Sequence, residues 1–76
     1  MDKLTVTPVA SLTIPLGGQQ IDLQQLDYAL EGAMSLLRVR IREGRRFTIF
    51  DIDPASARVL GQALIDWAGG QPGGEP

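Results

Sequence analysis

The residues best suited to binding chemistry form an arginine cluster in the second half of the chain. Five of the seven basic residues lie within nine positions: Arg38, Arg40, Arg42, Arg45 and Arg46. Glu43 is the single acid among them, so the segment carries +4 against −6 for the remainder, giving a net charge of −2. Guanidinium groups match phosphates and carboxylates through two parallel hydrogen bonds, so the cluster predicts an anion-binding face.

The sequence allows two explanations of the arginine cluster. In the first, the arginines contact an acidic protein surface or a second copy of the chain, with nucleic acid ranking lower. The net charge of −2 and the pI near 4.8 argue against a dedicated nucleic-acid binder. In the second, the arginines are solvated and pair with Asp22, Asp27 and Glu31 of a neighbouring strand, which protects the sheet from aggregation.

The remaining polar residues give little support for catalysis. The sequence has no histidine and no cysteine, which removes the commonest general base and the soft metal ligands. Asp51 and Asp53 could offer carboxylates to Mg²⁺, but Asp53 also precedes a helix that it is expected to cap. The serines lack an activating base. We therefore predict no catalytic, metal or cofactor site, and a protein that is not an enzyme.

Composition also bears on the compartment. No apolar run approaches the roughly 18 residues of a membrane span, and the first residues lack the apolar segment of a signal peptide. The absence of cysteine suits a reducing compartment. We expect a cytoplasmic protein that does not contact membranes.

The clearest element is a helix over residues 54–68. Asp53 and Pro54 provide the N-cap and the first helical position, and Gly69 with Gly70 ends the helix. Apolar residues recur at steps of three and four along one stripe: Ala57, Leu60, Ala63, Leu64 and Trp67. The stripe predicts that the helix packs on a sheet, with Trp67 as an anchor.

Residues 35–52 predict a hairpin. Leu37, Val39 and Ile41 alternate with arginines as in a strand that has one face on a core. A three-residue loop, 42–44, sets Val39 opposite Phe47 and Leu37 opposite Ile49, which sorts apolar from charged faces.

In that register Arg38 and Arg40 share the charged face, with Arg46 directly opposite Arg40. Phe50 continues this face as an apolar patch with Leu36 and Ile52. Arginine beside aromatic side chains is typical of interface cores. The predicted partner-binding residues are Arg38, Arg40, Arg46 and Phe50.

The first third of the chain predicts a second hairpin around Gly17 and Gly18. This turn pairs Ile14 with Ile21 and Leu12 with Leu23, and it requires Pro15 to lie on an edge strand. Residues 24–34 are ambiguous. Helical spacing and the lack of β-branched residues favour a helix, whereas the alternation of Leu26, Tyr28 and Leu30 favours a strand.

The segment LRVRIREGRRFTIFDIDP, followed by a helix that ends near Trp67 and Ala68, resembles a family of small, mostly uncharacterised bacterial proteins. The resemblance covers residues 34–68. It implies a compact sheet-plus-helix domain in which the stretch before Met34 is a strand and a turn, and it implies no activity.

Together these patterns predict an α+β fold: an antiparallel sheet of three to four strands with one C-terminal helix packed on one face. An extra helix at about 23–34 is the alternative. One domain is expected over residues 1–68, with a disordered tail at 69–76. The expected core combines Leu37, Val39, Ile41, Phe47 and Ile49 with Leu60, Leu64 and Trp67.

The functional hypothesis is a non-catalytic protein-interaction module. A chain of this size buries only about 60% of its unfolded surface, so the hypothesis includes assembly into a homodimer. A nucleic-acid-binding accessory protein is the first alternative and an enzyme the last.

Overall fold

A computed structural model describes residues 4–28, 32 and 34–74. The elements are β1 (Leu4–Thr13), β2 (Gln20–Tyr28), β3 (Leu36–Glu43), β4 (Arg46–Ile52) and α1 (Pro54–Gly69). The strands form one antiparallel sheet in the order β1-β2-β3-β4. The predicted α+β architecture of hairpins and one C-terminal helix is confirmed.

The first part of the segment 24–34, which was ambiguous between helix and strand, belongs to strand β2. It runs to Tyr28 and pairs on both sides, with β1 and with β3. The alternative helix is therefore wrong for residues 23–28. The rest of that prediction falls on residues 29–34, of which 29–31 and 33 lie outside the described part of the chain.

The sheet has two faces with different chemistry. The helix face lies towards α1 and is formed by Leu12, Ile21, Leu23, Leu37, Val39, Ile41, Phe50 and Ile52. The arginine face is the opposite one, and β3 and β4 give it Arg38, Arg40, Arg42, Phe47, Ile49 and Asp51. Because side chains alternate along each strand, the register of each hairpin decides which residues share a face.

The predicted register of the β3–β4 hairpin is wrong. The strands are joined by the two residues Gly44 and Arg45, and Glu43 lies opposite Arg46. Gly44 has φ 59°, which suits the first central position of a type II′ turn. Val39 therefore pairs with Phe50, where the sequence predicted Phe47, and Phe47 moves to the arginine face.

The β1–β2 hairpin exists, but its register also differs from the prediction. Leu12 pairs with Ile21 and Ala10 with Leu23. The Ile14 N–H donates to the Gln19 carbonyl at 2.8 Å, so Pro15 lies in the loop and not in a strand. The proline of edge strand β1 is Pro8, next to a bulge, where a missing N–H is tolerated.

Helix α1 begins as the sequence predicts. The Asp53 carboxylate accepts from the Ser56 N–H at 3.1 Å and from the Ser56 hydroxyl at 2.5 Å. At the other end the Gly70 N–H donates to the Trp67 carbonyl at 3.2 Å. Residues beyond the helix form hydrogen-bonded turns as far as Gly74, and the predicted disorder of 69–76 stays a prediction. No helix within the described residues is long and apolar enough to cross a bilayer.

The predicted core is only partly correct. Leu37, Val39 and Ile41 are half-buried on the helix face, as predicted. Phe47 and Ile49 are 51% and 52% exposed on the arginine face, because the turn places them there. Trp67 does not anchor the sheet.

Burial within one chain is slight. Trp67 is 70% exposed, and Leu60 and Leu64 on α1 are 46% and 61% exposed. Among the described residues only Leu26 is fully buried, on the arginine face between its cross-strand partners Val6 and Leu36.

Candidate functional site

The register divides the arginine cluster between the two sides of the sheet. Arg38, Arg40 and Arg42 alternate along β3 and share the arginine face. Arg46 lies opposite Glu43 on the other side, so the prediction that it faces Arg40 is wrong. Phe50 also belongs to the helix face, opposite Val39. The four predicted contact residues therefore do not form one surface.

Arg38 forms an ion pair with Asp51 of the neighbouring strand β4. Its Nε donates to Asp51 Oδ1 at 2.8 Å and its Nη2 to Asp51 Oδ2 at 3.1 Å. This bidentate geometry is the stronger form of ion pair. The hydrogen bonds from Arg38 lower the pKa of Asp51, and the same bonds raise the pKa of Arg38. Arg38 thus holds β3 against β4 at the arginine face.

Arg40 and Arg42 differ from Arg38 in their interactions. The Arg40 guanidinium lies over the Phe47 ring, with its Cζ 4.7 Å from the ring centroid, which is cation–π range. Within the described part of the chain, neither Arg40 nor Arg42 forms an ion pair. Phe47 and Ile49 beside them are half-exposed. The arginine face therefore presents two guanidinium groups on an apolar base.

The acids expected to neutralise the arginines have other partners. Asp22 is the cross-strand neighbour of Arg40 but accepts a hydrogen bond from the Ser11 hydroxyl at 2.6 Å. Asp27 accepts from Ser35 and, at 2.9 Å, from Gln25. Glu31 lies outside the described residues. The predicted pairing with Asp22 and Asp27 is wrong: the ion pair that the described residues form is Arg38–Asp51, and Asp27 lies on the face of β2 opposite to Asp22.

Each of the three serines donates a hydroxyl hydrogen bond to an aspartate. Ser35 donates to Asp27, and Ser56 donates to Asp53. These hydrogen bonds lower the pKa of both carboxyls, which makes them weaker bases than ordinary aspartates. A carboxylate with a lowered pKa is poorly suited to removing a hydroxyl proton.

The two aspartates considered for Mg²⁺ have separate structural roles. Asp51 binds Arg38 on the arginine face, and Asp53 caps α1. Searched over the described residues, the chain holds no group of three or more acidic, histidine or cysteine side chains able to hold a metal.

An apolar cleft between α1 and the helix face is the surface that sequence reasoning missed. Its volume is about 520 Å³, and its lining includes Leu23, Val39 and Phe50 from the sheet and Leu60 and Leu64 from the helix. The signal was present in the spacing of Phe50 and Ile52. These residues alternate as well as Phe47 and Ile49 do, and they are the ones that face α1.

Fold and surfaces together define a small α+β protein with an arginine-bearing sheet face on one side and an open apolar cleft on the other. The chain belongs to a family of unknown function, DUF6967, which matches residues 3–70. This membership agrees with the resemblance to an uncharacterised family, while the bacterial origin stays a prediction. No curated protein and no solved structure matches the chain.

Proposed function

We propose that this protein is a non-catalytic interaction module that binds an acidic protein surface through Arg40 and Arg42. The supporting observation is the Arg40 guanidinium, stacked 4.7 Å from the Phe47 ring centroid. Stacking holds the flat group in place, and its N–H donors stay available to a carboxylate. The proposal also includes a homodimer and, since the chain lacks cysteine, a reducing cytoplasmic setting.

The set of binding residues differs from the one that the sequence suggested. Arg38 is engaged by Asp51, so we assign it a positioning role. Arg46 and Phe50 lie on the helix face and cannot contact the same partner surface as Arg40. Phe47 and Ile49 replace Phe50 as the apolar part of the proposed contact. Arginine and aromatic side chains are enriched at the energetic centre of interfaces.

The test uses a glutamate-rich peptide as a defined acidic probe. We expect the double variant Arg40→Gln, Arg42→Gln to bind it about tenfold or more weakly, because each charge-assisted hydrogen bond contributes roughly 1.5–3 kcal/mol. The double variant Arg45→Gln, Arg46→Gln is the matched control, since it also removes two arginine charges, one in the turn and one on the helix face. Equal losses in the two variants would refute a specific arginine face.

Nucleic acid is the competing ligand for the same arginines. If nucleic acid is the ligand, the wild-type chain should be retained on a DNA column, and this retention should fall steeply as the salt concentration rises. Retention of the wild-type chain that Arg40→Gln and Arg42→Gln abolish would favour this alternative over an acidic protein.

A further inference from the structure

The chain exposes more surface than a self-contained domain of its mass. Its accessible surface is 6222 Å² for 8.2 kDa, whereas a compact monomer of that mass exposes about 4,500 Å². Its radius of gyration is 14.8 Å, against about 11 Å for a compact chain of this length. The excess surface, about 1,700 Å², is roughly twice what one partner buries in a standard interface.

Helix α1 contributes to this exposed surface, because none of its residues is buried. The sheet lies under one side of the helix, where Ala57, Leu60, Gly61 and Leu64 line the cleft. The next side carries Val59, Ala63 and Trp67, spaced by four residues, and all three are exposed, Val59 at 71% and Trp67 at 70%. We name this row the outer flank. A helix that is apolar over so wide an arc requires burial on more than one side.

We infer that the outer flank of α1 packs against the outer flank of a second copy of the chain, as an antiparallel helix pair with Ala63 at the two-fold axis. This inference rests on the homodimer included in the proposed function and names the surface that forms it. Residues spaced by four form the ridge that packs most often between helices. The small Ala63 at the centre allows close approach.

The row is complementary to itself when the helices are antiparallel. With Ala63 on the axis, Val59 of one copy meets Trp67 of the other, so a medium side chain packs beside a large one at both ends. An isologous interface has this reciprocity. A parallel pair would instead place Trp67 against Trp67 and leave Val59 against Val59.

Charges at the edge of the flank also favour a second copy. Arg58 and Asp66 lie on the polar row beside the outer flank, together with Gln62. Asp66 borders the outer flank and Arg58 lies further around the same polar row, so in the antiparallel pair the long Arg58 side chain of one helix extends towards Asp66 of the other, twice by symmetry. The flank itself carries no charge, so two copies meet without like-charge repulsion.

Cysteine cross-linking tests this arrangement without background, because the chain has no cysteine. Under mild oxidation we expect A63C to form a covalent dimer about tenfold more readily than Q62C, since disulfides need Cα atoms within about 7 Å. Q62C is the matched control because it is the adjacent helical position on the polar row. Equal cross-linking of the two variants would overturn the inference.

Sedimentation equilibrium provides the second readout. The wild-type chain at micromolar concentration should have twice the 8.2 kDa mass of one chain. A63R should weaken the dimer by about 30-fold or more, because it buries an unpaired charge at the centre of the interface. A monomeric wild-type chain, or an A63R variant as dimeric as wild type, would overturn the inference. The far-ultraviolet circular dichroism of A63R should match that of wild type, since Ala63 is exposed in the single chain.

These outcomes are separable from those of the arginine face. Arg40→Gln with Arg42→Gln should leave the sedimentation mass unchanged, and A63R should retain binding of the acidic peptide. If the wild-type chain is monomeric yet binds the peptide, the helix pair is refuted and the arginine face stands. If it is dimeric, A63R is monomeric and the peptide is not bound by wild type, the arginine face is refuted and the helix pair stands.

Discussion

Truncating Leu26 to alanine should destabilise this fold strongly. Leu26 has no exposed surface, and it lies on an inner strand between its cross-strand partners Val6 and Leu36. Removing a buried leucine side chain costs about 2–5 kcal/mol, through lost transfer energy and the cavity that remains. A chain of 76 residues has a free energy of unfolding of about 4–11 kcal/mol. The variant should therefore lose a large share of its stability.

Urea unfolding followed by circular dichroism measures this effect at a fixed protein concentration. With a slope near 1 kcal/mol/M, the midpoint should fall by about 2 M or more. Leu16→Ala is the matched control: Leu16 is completely exposed in the first loop, so the same truncation should stay within about 0.5 kcal/mol. If Leu26→Ala does not fold, Leu26→Met conserves volume and should cost less than about 1.5 kcal/mol. Equal midpoint shifts for Leu16→Ala and Leu26→Ala would refute the assignment of Leu26 as the best-buried side chain.

Three further predictions concern the cap, the turn and pH. Asp53→Ala should cost about 1 kcal/mol, because it removes the acceptor for the Ser56 N–H; thermal unfolding measures this, and Asp53→Asn should restore most of it. Gly44→Ala should destabilise by about 1–2 kcal/mol, since alanine is strained at φ 59°, and an unchanged melting temperature would contradict the turn assignment. The carboxyls of Asp27, Asp51 and Asp53 have pKa values lowered in the folded state by their hydrogen bonds. Their stabilisation is therefore complete above about pH 4 and is lost as pH falls through the folded-state values; urea midpoints that rise on acidification would contradict this sign.

Local signals in the sequence were sufficient for α1 and β3, whereas residues 24–28 of β2 were compatible with both helix and strand. Asp53 and Pro54 specify the start of α1 through the chemistry of neighbouring groups alone. Alternation of Leu37, Val39 and Ile41 with arginine specifies β3 and the face that it turns towards the helix. These features depend on residues a few positions apart, and the structure agrees with them.

The register of the β3–β4 hairpin could not be predicted from such local signals. Strand β4 reads RFTIFDI, which has apolar residues at both parities, so alternation selects neither Phe47 with Ile49 nor Phe50 with Ile52. Gly44 decides between these two registers, because its positive φ makes a two-residue turn favourable. That turn also brings Arg38 opposite Asp51, an ion pair that the predicted register did not contain. The arginine face could therefore be predicted to exist, but not which apolar residues belong to it.

The two surfaces are compatible in one assembly. Helical geometry of about 100° per residue places the outer flank about 110° around α1 from the side that faces the sheet. An antiparallel two-fold pair through the outer flank therefore leaves both sheets on the same side of the two helices. Both arginine faces then point the same way, away from the helices. A dimer would present Arg40 and Arg42 twice to one acidic partner, and the second contact would form at the high effective concentration that a shared scaffold provides. Association through α1 would strengthen binding at the arginine face without contributing a residue to it.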